Sequence, residues 1–276
     1  MMLSRVLSTF HIEFAIALRN RWLSIAVVMM VLFSLVLAIA GSAPSGAVGA
    51  DRLSVTVASL TSLSVYLVPL MALIISFDAI AGEVERGTLP LYLAYPVSRG
   101  ELLIGKLAAQ LVLIIVAVCL GYGAAALVAF WFSGWGAMEG LAALGRLVWT
   151  SVLLGAVFLS LGQMLSGLSR RPSAAAGLAI ALWLVTVVLY DLGLLAAIVA
   201  DDGGVFTTQI FPWLLVANPA DALRIYNLAA SDAVGAASGL AGAAQSIALW
   251  KPLASLLIWV VLAAGLARIA FERVEP

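Results

Sequence analysis

Charged side chains are scarce in this sequence, and their scarcity excludes an ordinary soluble protein. Of 276 residues only 10% are charged and 64% are hydrophobic, whereas soluble globular domains carry about 25% charged residues. We therefore predict an all-α integral membrane protein. The 14 basic and 14 acidic residues give a formal net charge of zero, so no overall field attracts nucleic acid or an acidic substrate.

Cysteine and histidine are almost absent, with only Cys119 and His11 in the chain. This excludes an internal disulfide, and the pair alone cannot complete a zinc site or a Cys-His-Asn catalytic arrangement. Soft sulfur ligands that could suit cuprous copper lie within apolar stretches, namely Met29, Met30, Met71, Met164 and Cys119. Packing is the favoured interpretation because methionine routinely fills gaps between helices. We predict no metal site and no cofactor bound by this chain.

Long apolar stretches are the most abundant feature of the sequence. A hydrocarbon core of about 30 Å requires about 20 apolar residues per helix. Six stretches meet this requirement, at residues 22–40, 54–77, 107–132, 147–168, 174–200 and 252–270. If the amino terminus lies inside, most lysines and arginines fall on the inner side, which predicts that both termini are cytoplasmic.

The residues before the first span predict an amphipathic helix. Apolar side chains recur there at helical spacing on one face, at Leu3, Val6, Leu7, Phe10, Phe14 and Leu18. Arg5, Thr9 and Glu13 lie mostly away from that face. The pattern favours a helix lying on the inner leaflet; the alternative is a simple extension of the first span.

The long outer loop before the last span contains an apolar piece at residues 210–217. It is too short to cross a bilayer and too apolar to stay in water, so we predict a re-entrant or interfacial segment. The following Asn218-Pro219-Ala220-Asp221 predicts a helix start, with Asn218 as the cap and Pro219 in the first turn. Arg224 is spaced to reach Asp221.

Asp191 is the one carboxylate set among apolar residues of a predicted span. At a bilayer centre it would cost about 2.5–3.5 kcal/mol on insertion scales. The favoured explanation is that the span ends near Asp191 and leaves it at the surface. The alternative is an outer gate or a docking site for a periplasmic partner, and the same alternative applies to Asn218, Asp221 and Arg224.

The densest polar stretch lies between the second and third spans, and includes Gly82-Glu83-Val84-Glu85-Arg86-Gly87-Thr88-Leu89. Pro90 can begin a helix and Pro96 discourages one at the preceding residue, so a short helix fits between them. Such a helix would present Leu89, Tyr92 and Leu93 among charges. A compact apolar tip with a charged rim favours docking to another protein; the alternative is an ordinary interfacial loop.

This polar stretch also carries a family resemblance. The run Glu83-x-Glu85-x-Gly87-Thr88-Leu89, followed by Pro96-x-Ser98-Arg99 and Gly105-Lys106, resembles the signature of ABC-transporter permeases of the type-2 exporter class. The resemblance covers nearly the whole chain and implies a single permease domain over residues 1–276. It implies that a cytoplasmic ATPase holds this loop, at Glu83, Glu85, Arg86, Gly87, Thr88, Leu89, Tyr92, Pro96, Arg99 and Lys106.

Two shorter motifs narrow the resemblance. The segments Phe77-Asp78-Ala79-Ile80 and Asn218-Pro219-Ala220-Asp221-Ala222-x-Arg224 look most like permeases that act in maturing the copper sites of nitrous oxide reductase. This implies a bacterial inner membrane location, a homodimer, two ATPase subunits carrying ATP and magnesium, and a periplasmic β-helical partner. Small residues spaced by four, Ser173, Gly177 and Ala181, are a candidate dimer face.

No catalytic motif supports an enzyme. The chain lacks a G-x-x-x-x-G-K-[ST] run, so ATP hydrolysis requires another polypeptide. The Tyr190-Asp191 pair resembles part of the motif of aspartyl intramembrane proteases, but such an enzyme would need a second aspartate in a glycine-flanked motif of another span. The hydrolase motifs H-E-x-x-H and G-x-S-x-G are also missing from the sequence. An ion-coupled secondary transporter should place several ionisable groups at mid-membrane, and only Asp191 comes close.

Overall fold

The computed structural model describes residues 2–18, 21–40, 52–95, 97–133, 138–230 and 247–275, and these form helices and connecting turns without a β-strand. The α-helices are α1 Met2–Leu18, α2 Arg21–Ala40, α3 Arg52–Ser76, α4 Ala81–Glu85, α5 Leu89–Ala94, α6 Arg99–Ser133, α7 Met138–Leu168, α8 Pro172–Trp183, α9 Tyr190–Asp201, α10 Phe211–Ala217, α11 Pro219–Ala229 and α12 Trp250–Glu272. Two π-helical turns, π1 Leu184–Leu189 and π2 Phe206–Ile210, precede α9 and α10.

Five helical segments in the described part of the chain are long and apolar enough to cross a membrane. They are Leu53–Glu85, Arg99–Trp131, Gly140–Leu168, Pro172–Asp201 and Trp250–Glu272. Four of them contain a predicted span, and Arg99–Trp131 covers all but the last residue of the predicted span 107–132. The first predicted span coincides with α2, whose apolar stretch Ser24–Ala40 is shorter. α6 and α7 begin eight or nine residues before the predicted spans, because a helix satisfies its own backbone beyond the apolar core.

The helices pack around α7, which contacts both α3 and α12 along its length. α1 and α2 pack against α6. Phe158 and Leu60 are fully buried in this core. Buried hydrogen bonds also join the helices: the Tyr122 hydroxyl contacts Ser64 on α3 and, at 3.0 Å, Ser151 on α7. Such contacts satisfy polar groups that lipid cannot.

The fifth predicted span is a helix interrupted by π1. At this π turn the Asn218 amide donates a hydrogen bond to the Thr186 carbonyl at 2.7 Å. The helix resumes at Tyr190 and continues to Asp201. The helix therefore continues past Asp191, which lies in the first turn of α9 with a side chain 25% exposed; that the membrane span itself ends near Asp191 stays a prediction.

The chain then turns back through Asp202, whose φ is 44°, into α10 and α11. The Asn218 side chain accepts from the Ala220 backbone N–H at 2.8 Å, which confirms the predicted cap, and Pro219 follows in the first turn. α11 packs against α3, α7 and α12. Trp213 on α10 instead stays exposed and receives Lys251 Nζ 4.5 Å above its ring.

Candidate functional site

The polar loop between α3 and α6 begins with a fixed backbone. The Ser166 hydroxyl on α7 accepts hydrogen bonds from the backbone N–H groups of Ile80 and Ala81, each at 2.9 Å. These are amides that the start of α4 leaves without helical partners. Sequence reasoning missed Ser166, because a serine inside an apolar span carries no signal of a contact some eighty residues away.

A reversal at Gly87 separates α4 from α5. Gly87 has a φ of 65°, a conformation open to glycine without strain, and the next residue, Thr88, donates its N–H to the Glu83 carbonyl at 2.9 Å. α5 then starts at Leu89 with Pro90 in its first turn. The predicted short helix after Pro90 is confirmed, whereas Pro96 lies outside the described residues.

The orientation of α5 differs from the expectation. Leu89 is fully buried against Ile80, Leu102 and Phe271, and Tyr92 and Leu93 pack partly against the same cluster. The expectation that Leu89 is presented at the tip is wrong, because these neighbours offer it an apolar pocket. On the opposite face of α5 Leu91 is 65% exposed, and Tyr95, the residue after the helix, is 70% exposed.

The charged residues beside α5 complete this exposed face. Glu85 and Arg86 are exposed, and Arg86 Nη1 reaches Asp78 Oδ2 only at 3.4 Å across the surface. A pair this long and exposed contributes little to stability. We call Glu85, Arg86, Leu91 and Tyr95 the loop tip.

Two other predicted loop residues are internal. Lys106 is 1% exposed, and its Nζ lies 2.5 Å from both Glu13 Oε1 on α1 and Glu83 Oε1 on α4. Glu83 itself is 5% exposed. A buried ammonium requires carboxylate partners to offset its lost hydration, so this ion triad joins α1, α4 and α6. Its third member, Glu13, was not among the predicted site residues.

The neighbouring Gly105 explains how α1 comes close enough to supply Glu13. A Cβ added at Gly105 would lie 2.7 Å from Thr9 Cβ and 3.2 Å from the Val6 carbonyl oxygen. One turn before, Arg5 lies 3.9 Å from Glu101. The polar stripe of α1, at residues 5, 9 and 13, therefore faces α6, while Leu7, Ile12, Ile16 and Leu18 are exposed. The predicted helix is confirmed, and its position on a leaflet stays a prediction.

The end of the loop is fastened by Ser98, Arg99 and Glu101. Ser98 N–H donates to Glu101 Oε2 at 2.7 Å and Glu101 N–H donates to Ser98 Oγ at 3.2 Å, which is a capping box. Arg99 Nη1 donates to the carbonyls of Phe271 at 2.8 Å and Val274 at 2.7 Å. Arg99 thus holds the end of α12 and does not project from the loop.

The second group of predicted residues meets at the opposite end of the bundle. Arg224 Nη2 donates to Asp191 Oδ2 at 2.9 Å, and Arg224 Nη1 lies 3.0 Å from Asp221 Oδ1, as the spacing predicted. The Asp221 contact is one of charge, since neither Asp221 oxygen has a hydrogen-bond partner among the described residues. Burial raises the pKa of Asp221 to about 7; Arg224 opposes the shift and Asp191 adds to it.

The other sequence candidates do not converge on a site. Met30 and Met71 are in the packed core, whereas Met29 and Cys119 are exposed. The small residues Ser173, Gly177 and Ala181 are exposed along α8, and an added Cβ at Gly177 would meet no described atom within 4 Å. That face is open to close approach, and its role in a dimer stays a prediction.

Comparison with known proteins identifies the family. The family model described as ABC-2 family transporter protein matches residues 7–275. The chain is 42% identical over 267 residues to the probable ABC transporter permease protein NosY of Pseudomonas aeruginosa, covering 95% of each chain. It is 39% identical over 253 residues to the protein of the same name from Stutzerimonas stutzeri, covering 91% of this chain and 90% of the relative. With its membrane-spanning helices, this chain belongs to the ABC-2 family of transporter proteins, as a multi-pass permease subunit.

Proposed function

We propose that this chain transmits the work of a separate ATPase, and that the ATPase grips the loop tip. The tip displays Leu91 on α5 and Tyr95 directly after it, and the other face of this helix is fixed by buried Leu89. Exposed apolar and aromatic side chains beside Glu85 and Arg86 suit an interface with an apolar centre and a charged rim. This exposed face on a rigid support is the observation that carries the proposal.

In this proposal the predicted coupling residues divide into two groups. Glu85, Arg86, Leu91 and Tyr95 touch the ATPase. The buried residues carry its displacement into the membrane: Glu83 and Lys106 connect the loop to α1 and α6, and Arg99 connects it to α12. Gly87, Thr88, Tyr92 and Pro96 shape the loop between these contacts.

The complete assembly would contain two copies of this chain and two ATPase subunits. ATP and magnesium would be held by the ATPase, and this chain would bind no cofactor. The loop and both termini would face the cytoplasm at a bacterial inner membrane, with a single permease domain of six spans including α2. α10 and α11 would form the re-entrant segment, and the exposed small residues of α8 would meet the second copy.

The process served by this assembly is proposed from the two relatives named NosY. We assign the chain to maturation of the copper sites of nitrous oxide reductase, by transport or by mechanical transmission to the periplasm. A periplasmic β-helical partner would meet the end of the bundle that carries Asp191, Asn218, Asp221 and Arg224. In cells lacking this chain, nitrous oxide reductase should be made with depleted copper, and a reductase with full copper would contradict this role.

The gripping role is tested by co-purification with the cognate ATPase. The variant Leu91→Ser/Tyr95→Ala should keep its yield and thermal stability, since both side chains are exposed, yet lose most ATPase binding and most stimulation of ATP hydrolysis. Trp250→Ala is the control, because Trp250 is 67% exposed at the opposite end of α12. Unchanged ATPase retention in the tip variant would refute the proposal.

A further inference from the structure

An amphiphilic cleft of about 560 Å³ opens beside the ion triad, between α1 and the end of α3. Ile16, Ile74 and Phe77 form its apolar wall. Asp78, Glu83 and Arg86 form its polar side, with Lys106 and Glu13 beneath. Ile74 and Phe77 belong to the membrane-crossing segment Leu53–Glu85, so the cleft lies where an apolar helix passes into its polar end.

One acceptor in this cleft lacks a partner. Lys106 uses Glu83 Oε1, whereas Glu83 Oε2 is buried and has no hydrogen-bond partner among the described residues. Lys106 Nζ already lies 2.5 Å from two carboxylates. An unpaired, buried carboxylate oxygen is strongly unfavourable, so the cleft is suited to a ligand that brings N–H donors.

The charges around the cleft indicate the sign of that ligand. Its lining contains three carboxylates, from Glu13, Asp78 and Glu83, against the two cations Arg86 and Lys106. The excess is negative, which favours an ammonium group over a phosphate alone. Arg86 lies at the rim of the cleft with a side chain 57% exposed. It can pair with a phosphate that lies nearer the cleft opening than the ammonium group does.

We propose that this cleft binds a phospholipid whose headgroup carries a primary ammonium, such as phosphatidylethanolamine. The ammonium donates to Glu83 Oε2 and to the Asp78 carboxylate, the phosphate pairs with Arg86, and an acyl chain follows Ile16, Ile74 and Phe77. Ile74 and Phe77 of the apolar wall belong to a candidate membrane span, which favours a lipid over a soluble amine. The site shares Arg86 with the loop tip, but lipid binding in the cleft does not require the ATPase.

Native mass spectrometry of the detergent-solubilised full chain tests the proposal without an ATPase. The chain is titrated with phosphatidylethanolamine, phosphatidylcholine and phosphatidylglycerol of identical acyl chains. We expect about tenfold or greater retention of phosphatidylethanolamine, since methylation removes every N–H donor and with it the charge-assisted hydrogen bonds. Equal retention of the three lipids, as for a cleft filled by water, or a preference for phosphatidylglycerol would overturn the proposal.

Variants then locate the site. Glu83→Gln should abolish the preference for phosphatidylethanolamine, and Asp78→Asn should reduce it. Asp78 has a side chain 42% exposed, so its variant keeps the test valid if Glu83→Gln fails to fold. Glu272→Gln is the control, an exposed carboxylate at the same end of the bundle and outside the cleft. A preference that survives Asp78→Asn unchanged would contradict the assignment.

Discussion

Thr9 on α1 lies directly against Gly105 on α6, so closely that a Cβ added to Gly105 would fall 2.7 Å from the threonine Cβ. The same glycine precedes Lys106, the centre of the ion triad. Gly105 therefore lets α1 approach α6, and this approach brings Glu13 to Lys106. The Gly105-Lys106 pair thus acts within the chain, through α1.

This contact predicts that Gly105→Ala displaces α1. The added methyl also approaches the Val6 carbonyl at 3.2 Å, so backbone must move, and overpacking of this kind costs about 1–3 kcal/mol. The thermal unfolding midpoint in detergent should fall. Gly123→Ala on the same helix is the control, since its Cβ would meet no atom of the described residues within 4 Å; an equal response of the two variants would contradict the prediction.

The ion triad predicts a large effect of Lys106→Met. Removing the ammonium leaves the buried carboxylate of Glu83 and the partly buried carboxylate of Glu13 without their cation. Breaking a buried pair typically costs about 3–5 kcal/mol, so yield and thermal midpoint should drop. Adding Glu13→Gln and Glu83→Gln removes both charges and should restore much of the loss. Lys251→Met, which removes a cation over the Trp213 ring, serves as the control. A triple variant no better than Lys106→Met would show that charge pairing is not the cause.

The anchor of α4 predicts a specific cost for Ser166→Ala. The backbone N–H groups of Ile80 and Ala81 would lose their shared acceptor, and leaving buried donors unsatisfied costs about 1–3 kcal/mol. Hydrogen exchange at residues 80–88 should accelerate. Ser160→Ala is the matched control on α7, because the hydrogen bond that Ser160 donates among the described residues goes to Ala156 of its own helix. Similar exchange in both variants would argue against the anchor.

Asp221 predicts a dependence of stability on pH. Its pKa is raised from 3.8 to about 7. Between about pH 4 and pH 7, Asp221 is therefore protonated in the folded chain and ionised in the unfolded chain. The stability from the protonated form is therefore present below about pH 4 and is lost as pH rises through about 7. The thermal midpoint should fall over this window.

Asp221→Asn should flatten that pH profile, whereas Asp202→Asn at an exposed position should leave it unchanged. The other titratable and charged groups acting on Asp221 and its partner Arg224 are Asp191, Tyr190 and Tyr66. A slope that persists in Asp221→Asn would assign the dependence to a different group.

Features encoded within a few residues could be predicted from the sequence. Helix positions followed from apolar length, and the Asn218 cap and the helix after Pro90 followed from local backbone chemistry. The Ser98–Glu101 capping box is equally local, since serine followed three residues later by glutamate is its sequence signature.

Contacts between distant segments could not be predicted. Nothing near Lys106 indicates that its partner is Glu13, although the spacing of residues 5, 9 and 13 by four was a usable sign of a polar contact face. The side of α5 that faces outward was also hidden, because a helix of six residues is too short for its periodicity to separate Leu89 from Leu91.

Arg99 bridges two places that are far apart in the chain, since its acceptors are the carbonyls of Phe271, Glu272 and Val274. Within the part of the chain that the structure describes, these three residues supply all the acceptors of its Nη1. A polypeptide shortened at this end would therefore carry a defect in the loop even though every loop residue remained intact, and faster hydrogen exchange at residues 98–104 would reveal it.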